Sequence, residues 1–406
     1  MRRILLSLVT LAVFSAVPLA APTAHAEELK VTPSGEYLAR FRHTEGLDYQ
    51  PGNVKNFVRH RARLGLRFSY GEELTSLVQV QDVRTWGEET DTLADFSAGG
   101  MDMHQAWLEV GLAEKLKLRI GRQEIGYLNH RLIGNVGFVE QARSFDGARL
   151  MAMALDDKLA LDLFYARVRD ELPPESQTAD DLFGWAARYD MGMLQPALIG
   201  VLDLNSATDR VRYTQGLVVQ LDMPFGLKLS LEGYLQAGSA TIADTPVDYF
   251  AWMTATRARF TLVDSDLAPF IEVFVETLSG DDDPADGDEK TFDTLFATNH
   301  RFYGEADIFL NIPANTGKRG LLDVGATLGL KLADNATAQV AFHHFGAMDS
   351  QGGESTFGQE VDVTFGWKVN PHLNLDLNYS LILPGELLNP DGDVEHFIYS
   401  TAHAQF

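Results

Sequence analysis

One pattern constrains this chain more than any other: apolar and polar side chains alternate with a period of two, in segment after segment. In Arg59–Tyr70 the odd positions are Arg59, Arg61, Arg63, Gly65, Arg67 and Ser69. The even ones are His60, Ala62, Leu64, Leu66, Phe68 and Tyr70. A β-strand sends successive side chains to opposite faces, so one face of this segment is cationic and the other apolar. Leu227, Leu229, Leu231 and Leu235 alternate with Lys228, Ser230, Glu232 and Gln236 in the same way. Near the C-terminus Leu373, Leu375, Leu377, Tyr379 and Leu381 alternate with Asn374, Asp376, Asn378 and Ser380.

Alternation alone also suits a water-soluble sandwich, and the connections decide between the two. Tight polar turns fall at Gly71-Glu72-Glu73, Ala113-Glu114-Lys115, Asp156-Asp157-Lys158, Ala333-Asp334-Asn335 and Asn370-Pro371-His372. Between them lie long polar loops at Thr44–Asn56, Gly87–Met101, Tyr127–Gln141, Asp170–Asp180, Ser279–Arg319, Met348–Thr356 and Pro384–Val394. Short turns at one end and long loops at the other are the asymmetry of an outer-membrane barrel. The segments are near the ~9–11 residues that a tilted strand needs to cross a bilayer. The expected fold is therefore all-β: a transmembrane, antiparallel, up-and-down barrel of about eighteen strands, running from 36–43 to 394–406. Phe302–Leu310 also alternates, but a nineteenth wall strand would put the Ala333-Asp334-Asn335 turn at the wrong end, so it is assigned to the long loop 279–319. An even count brings both termini to the short-turn end, with Phe406 closing the last strand.

The N-terminus assigns a compartment. Met1-Arg2-Arg3 is a positive start, Ile4 to Leu19 is apolar, and Ala24-His25-Ala26 is a small-x-small cleavage site, so residues 1–26 read as a cleaved secretory signal. Residues 27–406 read as one barrel domain. Removing the signal leaves 33 − 2 = 31 basic against 57 acidic residues, and that balance leaves no basic face for nucleic acid. The absence of cysteine excludes disulfides and thiolate chemistry. No Ser-centred elbow, HExxH or glycine-rich phosphate loop is present, so no enzyme activity, cofactor or metal is expected. Asp281–Glu289 is acid-rich, but Pro284 stands where an EF-hand needs an acidic ligand, and the run reads as a solvated loop. His343 and His344 are adjacent in a strand and point apart, which does not suit one metal.

Arginine is concentrated in the first half, fifteen in residues 27–200 and six in 201–406. Arg40, Arg42, Arg59, Arg61, Arg63 and Arg67 share the polar parity of their strands. An arginine track inside a pore favours anions. The competing reading is bracing against acids such as Glu36, Asp82, Glu109 and Asp162.

Several motifs add a resemblance. Arg61-Ala62-Arg63-Leu64-Gly65 is followed by Val80-Gln81-Asp82-Val83-Arg84-Thr85-Trp86-Gly87-Glu88 and by Asp102 to Gly111. Ile120-Gly121-Arg122-Gln123-Glu124, His130-Arg131-Leu132-Ile133-Gly134 and Arg143-Ser144-Phe145-Asp146-Gly147-Ala148-Arg149 complete the series. Together they resemble the alginate-export family of outer-membrane porins. The resemblance implies a channel that passes an anionic uronate polymer, with Arg61, Arg63, Arg84, Arg122, Arg131, Arg143 and Arg149 as the pore lining. Asp82, Glu109, Glu124 and Asp146 are implied as the acids that hold them. It also implies a monomer among outer-membrane lipid and lipopolysaccharide, inserted by the barrel-assembly machinery and served by periplasmic polysaccharide-export components. The later strands carry lumen-parity acids, Asp323, Asp362 and Asp376, which leave another anionic solute, a weakly selective uptake porin or a non-conducting receptor open.

Overall fold

The computed structural model describes residues 28–45, 54–88, 101–170, 179–263, 265–390 and 392–406. The secretory signal expected at 1–26, and parts of the loops expected around 44–56, 87–101 and 170–180, lie outside the described residues.

The strands are β1 (Leu29–Glu45), β2 (Val54–Tyr70), β3 (Leu74–Thr85), β4 (Met101–Ala113), β5 (Leu116–Gln123) and β6 (Phe145–Ala154). Next come β7 (Leu159–Asp170), β8 (Ala179–Tyr189), β9 (Leu194–Asn205), β10 (Arg210–Asp222), β11 (Leu227–Ile242) and β12 (Thr245–Thr261). After β13 (Phe270–Leu278) comes a two-residue strand, β14 (Asp288–Glu289). The last are β15 (Leu321–Ala333), β16 (Ala336–Gly346), β17 (Thr356–Asn370), β18 (Leu373–Pro384) and β19 (Glu395–Gln405). All but β14 pair with their neighbours antiparallel, and β1 pairs with β19, so the wall closes into an eighteen-strand barrel. Closure leaves no strand edge unpaired, which is what a wall in a hydrocarbon layer requires. At the seam, Phe406 and Gly35 exchange two backbone hydrogen bonds of 3.0 Å.

Side-chain placement is inverted relative to a water-soluble protein. Leu64, Leu108, Ile120, Leu163, Leu235 and Leu328 stand exposed on the outer face, while Arg61, Glu276, Asp323 and Asp362 are buried inside. Period two produces this directly. Cross-strand partners such as Leu108 and Ile120, or Ile120 and Ala148, line up on one face.

The interior is filled from the long-loop end. β13 pairs directly with β15, so residues 279–320 leave the wall and return to it. That excursion and the loop 124–144 fold into the lumen and join: Gly134 N–H donates to Phe296 O (2.8 Å) and Phe296 N–H to Leu132 O (2.9 Å). A short bridge pairs Ile133 with Phe296. Loop residues Ile125, Leu132, Ile133, Phe292, Tyr303 and Phe309 pack with wall residues Phe164, Leu182, Ile199 and Met253 in one buried apolar cluster. Phe302–Leu310 lies in this loop and not in the wall, as expected. Asp281–Glu289 is the solvated loop expected of it over residues 282–286 and Asp288, which are exposed, but not at its two ends. Asp281 and Glu289 are buried, and β14 pairs with β12. Lys290 and Lys318 neutralise the acids around them.

Candidate functional site

The arginines read as a pore lining divide into three groups by position. The first group holds the loops. Arg61 on β2 donates to Glu36 (Nε to Oε1, 3.0 Å) and to the carbonyls of Gly137, Val139 and Glu140 at 3.2–3.3 Å. Arg63, two residues on and so on the same face, reaches Gln81 (2.7 Å), Glu36 (3.3 Å) and Glu124 (3.4 Å). Arg40 on β1 adds Glu140 (3.0 Å) and lies 3.9 Å over the Phe138 ring. These side chains are buried. Glu124 also pairs with His104 (2.6 Å) and accepts from Asn135 (2.8 Å). Burial alone would raise its carboxyl, but the hydrogen bonds from His104 and Asn135 and the charge of Arg63 outweigh burial and hold it below the usual range.

Arg131 and Arg143 belong to the loop 124–144. Arg131, 1% exposed, forms a fork with both oxygens of Glu276 (2.6 and 3.0 Å) and reaches Glu232 (3.4 Å). Its guanidinium lies 3.4 Å over the Phe302 ring. Burial works against its charge, but Glu276 and Glu232 more than offset burial and raise its pKa well above the ordinary value. Arg143 donates to Gly134 O (3.2 Å), Ala297 O (3.3 Å) and Phe296 O, so it ties one loop to the other. Neither lines an open path.

The second group corrects the reading taken from the motifs. Arg84 and Asp82 share the parity of Val78 and Val80, and their cross-strand partners His60 and Ala62 are on the apolar face of β2. Arg122 shares the parity of Leu118 and Ile120 and pairs with Asp146 (2.9 Å). Asp146 is in register with Arg167, and Arg167 binds Asp181 (2.6 Å). Arg84, Arg122, Asp82 and Asp146 therefore stand on the outer face near the long-loop end. Ion pairs are tolerable there because the apolar band has ended. Period two excludes them from the lumen.

The third group faces open space at the short-turn end. Only Arg149 among the seven expected residues belongs to it, held by Asp162 (Nε to Oδ2, 2.7 Å). Arg67 and Arg119 flank the buried Trp107 at 5.4 and 4.0 Å, and Glu109 accepts from Arg119 (2.9 Å). Glu109 thus does hold an arginine, although not one that the motifs singled out. Arg149, Arg188 and Lys117 line a cavity of ≈ 710 Å³ floored by Tyr127, Leu128 and Met151. Arg257, Arg259 and Lys228 line another of ≈ 340 Å³. Acids line both cavities as well: Glu72, Glu114, Asp157 and Asp162 stand beside Lys115, Lys117, Arg149 and Arg188 in the first, and Asp222 and Glu272 beside Lys228, Arg257 and Arg259 in the second. Arg119, Arg188, Arg257 and Arg259 escaped the motif-based reading, yet their parity marked them. Arg119 alternates with Leu118 and Ile120, and Arg257 and Arg259 alternate with Ala258 and Phe260.

The model of one family, described as alginate export, matches residues 33–397. The chain belongs to the alginate export family. Among curated proteins no sequence relative matches. Similar solved structures are outer-membrane proteins of low identity, and they show the fold alone. The chain is 11% identical to OccAB4 of Acinetobacter baumannii (TM-score 0.62), covering 94% of this chain and 99% of that one. It is 9% identical to a BenF-like porin of Pseudomonas fluorescens (TM-score 0.63; 93% and 98%). It is 13% identical to OpdK of Pseudomonas aeruginosa, solved with vanillate (TM-score 0.59; 92% and 98%). Family and fold are those of outer-membrane channels, not of enzymes.

Proposed function

We propose that this outer-membrane channel passes an anionic polysaccharide of the uronate class outward, entering at the short-turn end, which faces the periplasm. One observation carries the reading: six arginines, Arg67, Arg119, Arg149, Arg188, Arg257 and Arg259, face the lumen toward that mouth. Fixed positive charge on low-dielectric walls concentrates anions at a mouth and lowers the barrier to entry. Family membership supports the same cargo. The loops that fill the lumen are read as a closed state, so passage requires them to move. Nothing in this reading needs a cofactor or bond chemistry.

The narrow separate cavities favour a second reading, passage of small carboxylated solutes, and one experiment divides the two. In planar bilayers, an oligo-uronate added on the short-turn side is expected to interrupt the current, while a neutral oligosaccharide of equal length does not. Equal effects of both, or of neither, contradict the polymer reading.

A further inference from the structure

Across the seam between β1 and β19 from Arg40, Arg61 and Arg63, the wall has the reverse problem: buried acids with too few cations. Glu360 and Asp362 are neighbours on the inner face of β17, 0% and 1% exposed. Glu360 Oε1 accepts the N–H of Ala306 (2.8 Å), and Asp362 Oδ1 accepts the hydroxyl of Ser380 (2.5 Å). Their other oxygens, Glu360 Oε2 and Asp362 Oδ2, are buried without a hydrogen-bond partner. The segment covering them belongs to the loop 279–320. Gly304 lies so close that a Cβ there would sit 2.5–2.6 Å from the Glu360 carboxylate.

The covering segment brings more acid. Glu305 accepts from Tyr399 on β19 (2.7 Å) and lies 3.4 Å from His300, and His300 is 2.6 Å from Asp307. From β15 comes Asp323, fully buried and bound to His343 of β16 (3.0 Å). Arg257 from β12 faces the cluster but is bound to Glu276 and Glu272. Arg40 from β1 is bound to Glu140. Asp376 on β18 and Glu395 on β19 add further acids on the inner face. An ionised carboxylate buried beside others is costly, and a proton is the cheapest remedy.

We propose that residues 300–307 form a proton-held latch: the loop docks on Glu360 and Asp362 while the cluster is protonated, and its release at alkaline pH opens the lumen. Opening rests on the channel reading, whereas docking does not. Burial pushes the Glu305 carboxyl up, Asp362 and Asp307 push it further, and His300 and Tyr399 pull the other way without cancelling the rise. A carboxyl raised in the docked state stabilises docking fully below its free pKa and loses that contribution as pH rises through the docked value. Docking is therefore firm in acid and weak in alkali.

The test uses the full barrel in detergent and reads tryptic cleavage after Arg301, with Glu360→Gln/Asp362→Asn as the comparison at each pH. Glu305→Gln is the second variant, should the first fail to give a heat-modifiable barrel. Between about pH 6 and about pH 9 the wild-type rate, divided by the variant rate, is expected to climb by up to about tenfold per unit for each proton released. Bilayer conductance of the wild type should rise over the same range. A constant cleavage ratio overturns the latch, and so does protection abolished by EDTA at fixed pH, which would mean that a cation fills the gap. A climbing ratio with no conductance at any pH upholds the latch and removes the channel reading instead.

Discussion

Arg131 sits on a loop and yet has no access to water, because Glu276 and Glu232 of the wall enclose its guanidinium and Phe302 covers it. Removing one partner of a buried ion pair leaves an uncompensated charge and costs about 3–5 kcal/mol. Arg131→Ala leaves Glu276 with Arg257 alone and Glu232 with only the hydrogen bonds from Asn129 and Tyr234, and it frees the loop 124–144 from the wall. The expected result is an earlier thermal transition of the loops, with faster proteolysis between 124 and 144 and a barrel that stays closed in gels run without heating. Unchanged proteolysis would mean that the apolar contacts of Ile125, Leu132 and Ile133 hold the loop unaided. At this scale the sequence was legible where parity was followed. Arg61, Arg63 and Glu109 face inward as their alternation required, and Trp107 does too. Arg84 and Arg122 stand in the motifs yet face outward, because they share the apolar parity of Val78, Val80, Leu118 and Ile120 and a motif by itself does not fix which face a side chain takes. Whether an inward arginine braces or lines depends on what lies opposite it, which for Arg61 is a carbonyl seventy-six residues away.

The strands were readable because period two is a local property, and the last strand, expected over 394–406, spans Glu395–Gln405. The loops were not, because their length was visible but their docking depends on partners distant in sequence. The loop 124–144 returns to β2 and β4 through Glu124, and that tether gives a pH dependence of opposite sign to the latch. Glu124 is held below the ordinary carboxylate range when bound to His104, Asn135 and Arg63. Its contribution is present above the free carboxylate pKa and is lost as pH falls through the lowered docked value. Acidification to about pH 3 is therefore expected to loosen residues 124–144, seen as faster proteolysis there by an acid protease. Glu124→Gln should show loose behaviour at neutral pH and little further change in acid. Acid sensitivity equal to that of the wild type would move the effect to another group.

At the scale of the whole molecule, the chain is acidic overall while six arginines face the lumen toward its short-turn end. The mature surplus of acids is carried partly by the loop cluster at 281–289 and by the buried carboxylates of β15 and β17. Net charge thus says little about the passage, and the placement of charge along the lumen says more. The arginine richness of the first half is accounted for by loop anchoring at one level and by the lumen-facing Arg67, Arg119, Arg149 and Arg188 at another. The reversal potential of the open barrel in a salt gradient is the direct test. Anion preference is expected in the wild type and in Arg122→Ala, whose side chain is outside the lumen, and a marked loss of preference is expected in Arg119→Ala. Cation preference in the wild type, or an equal loss in Arg122→Ala and Arg119→Ala, would contradict this account.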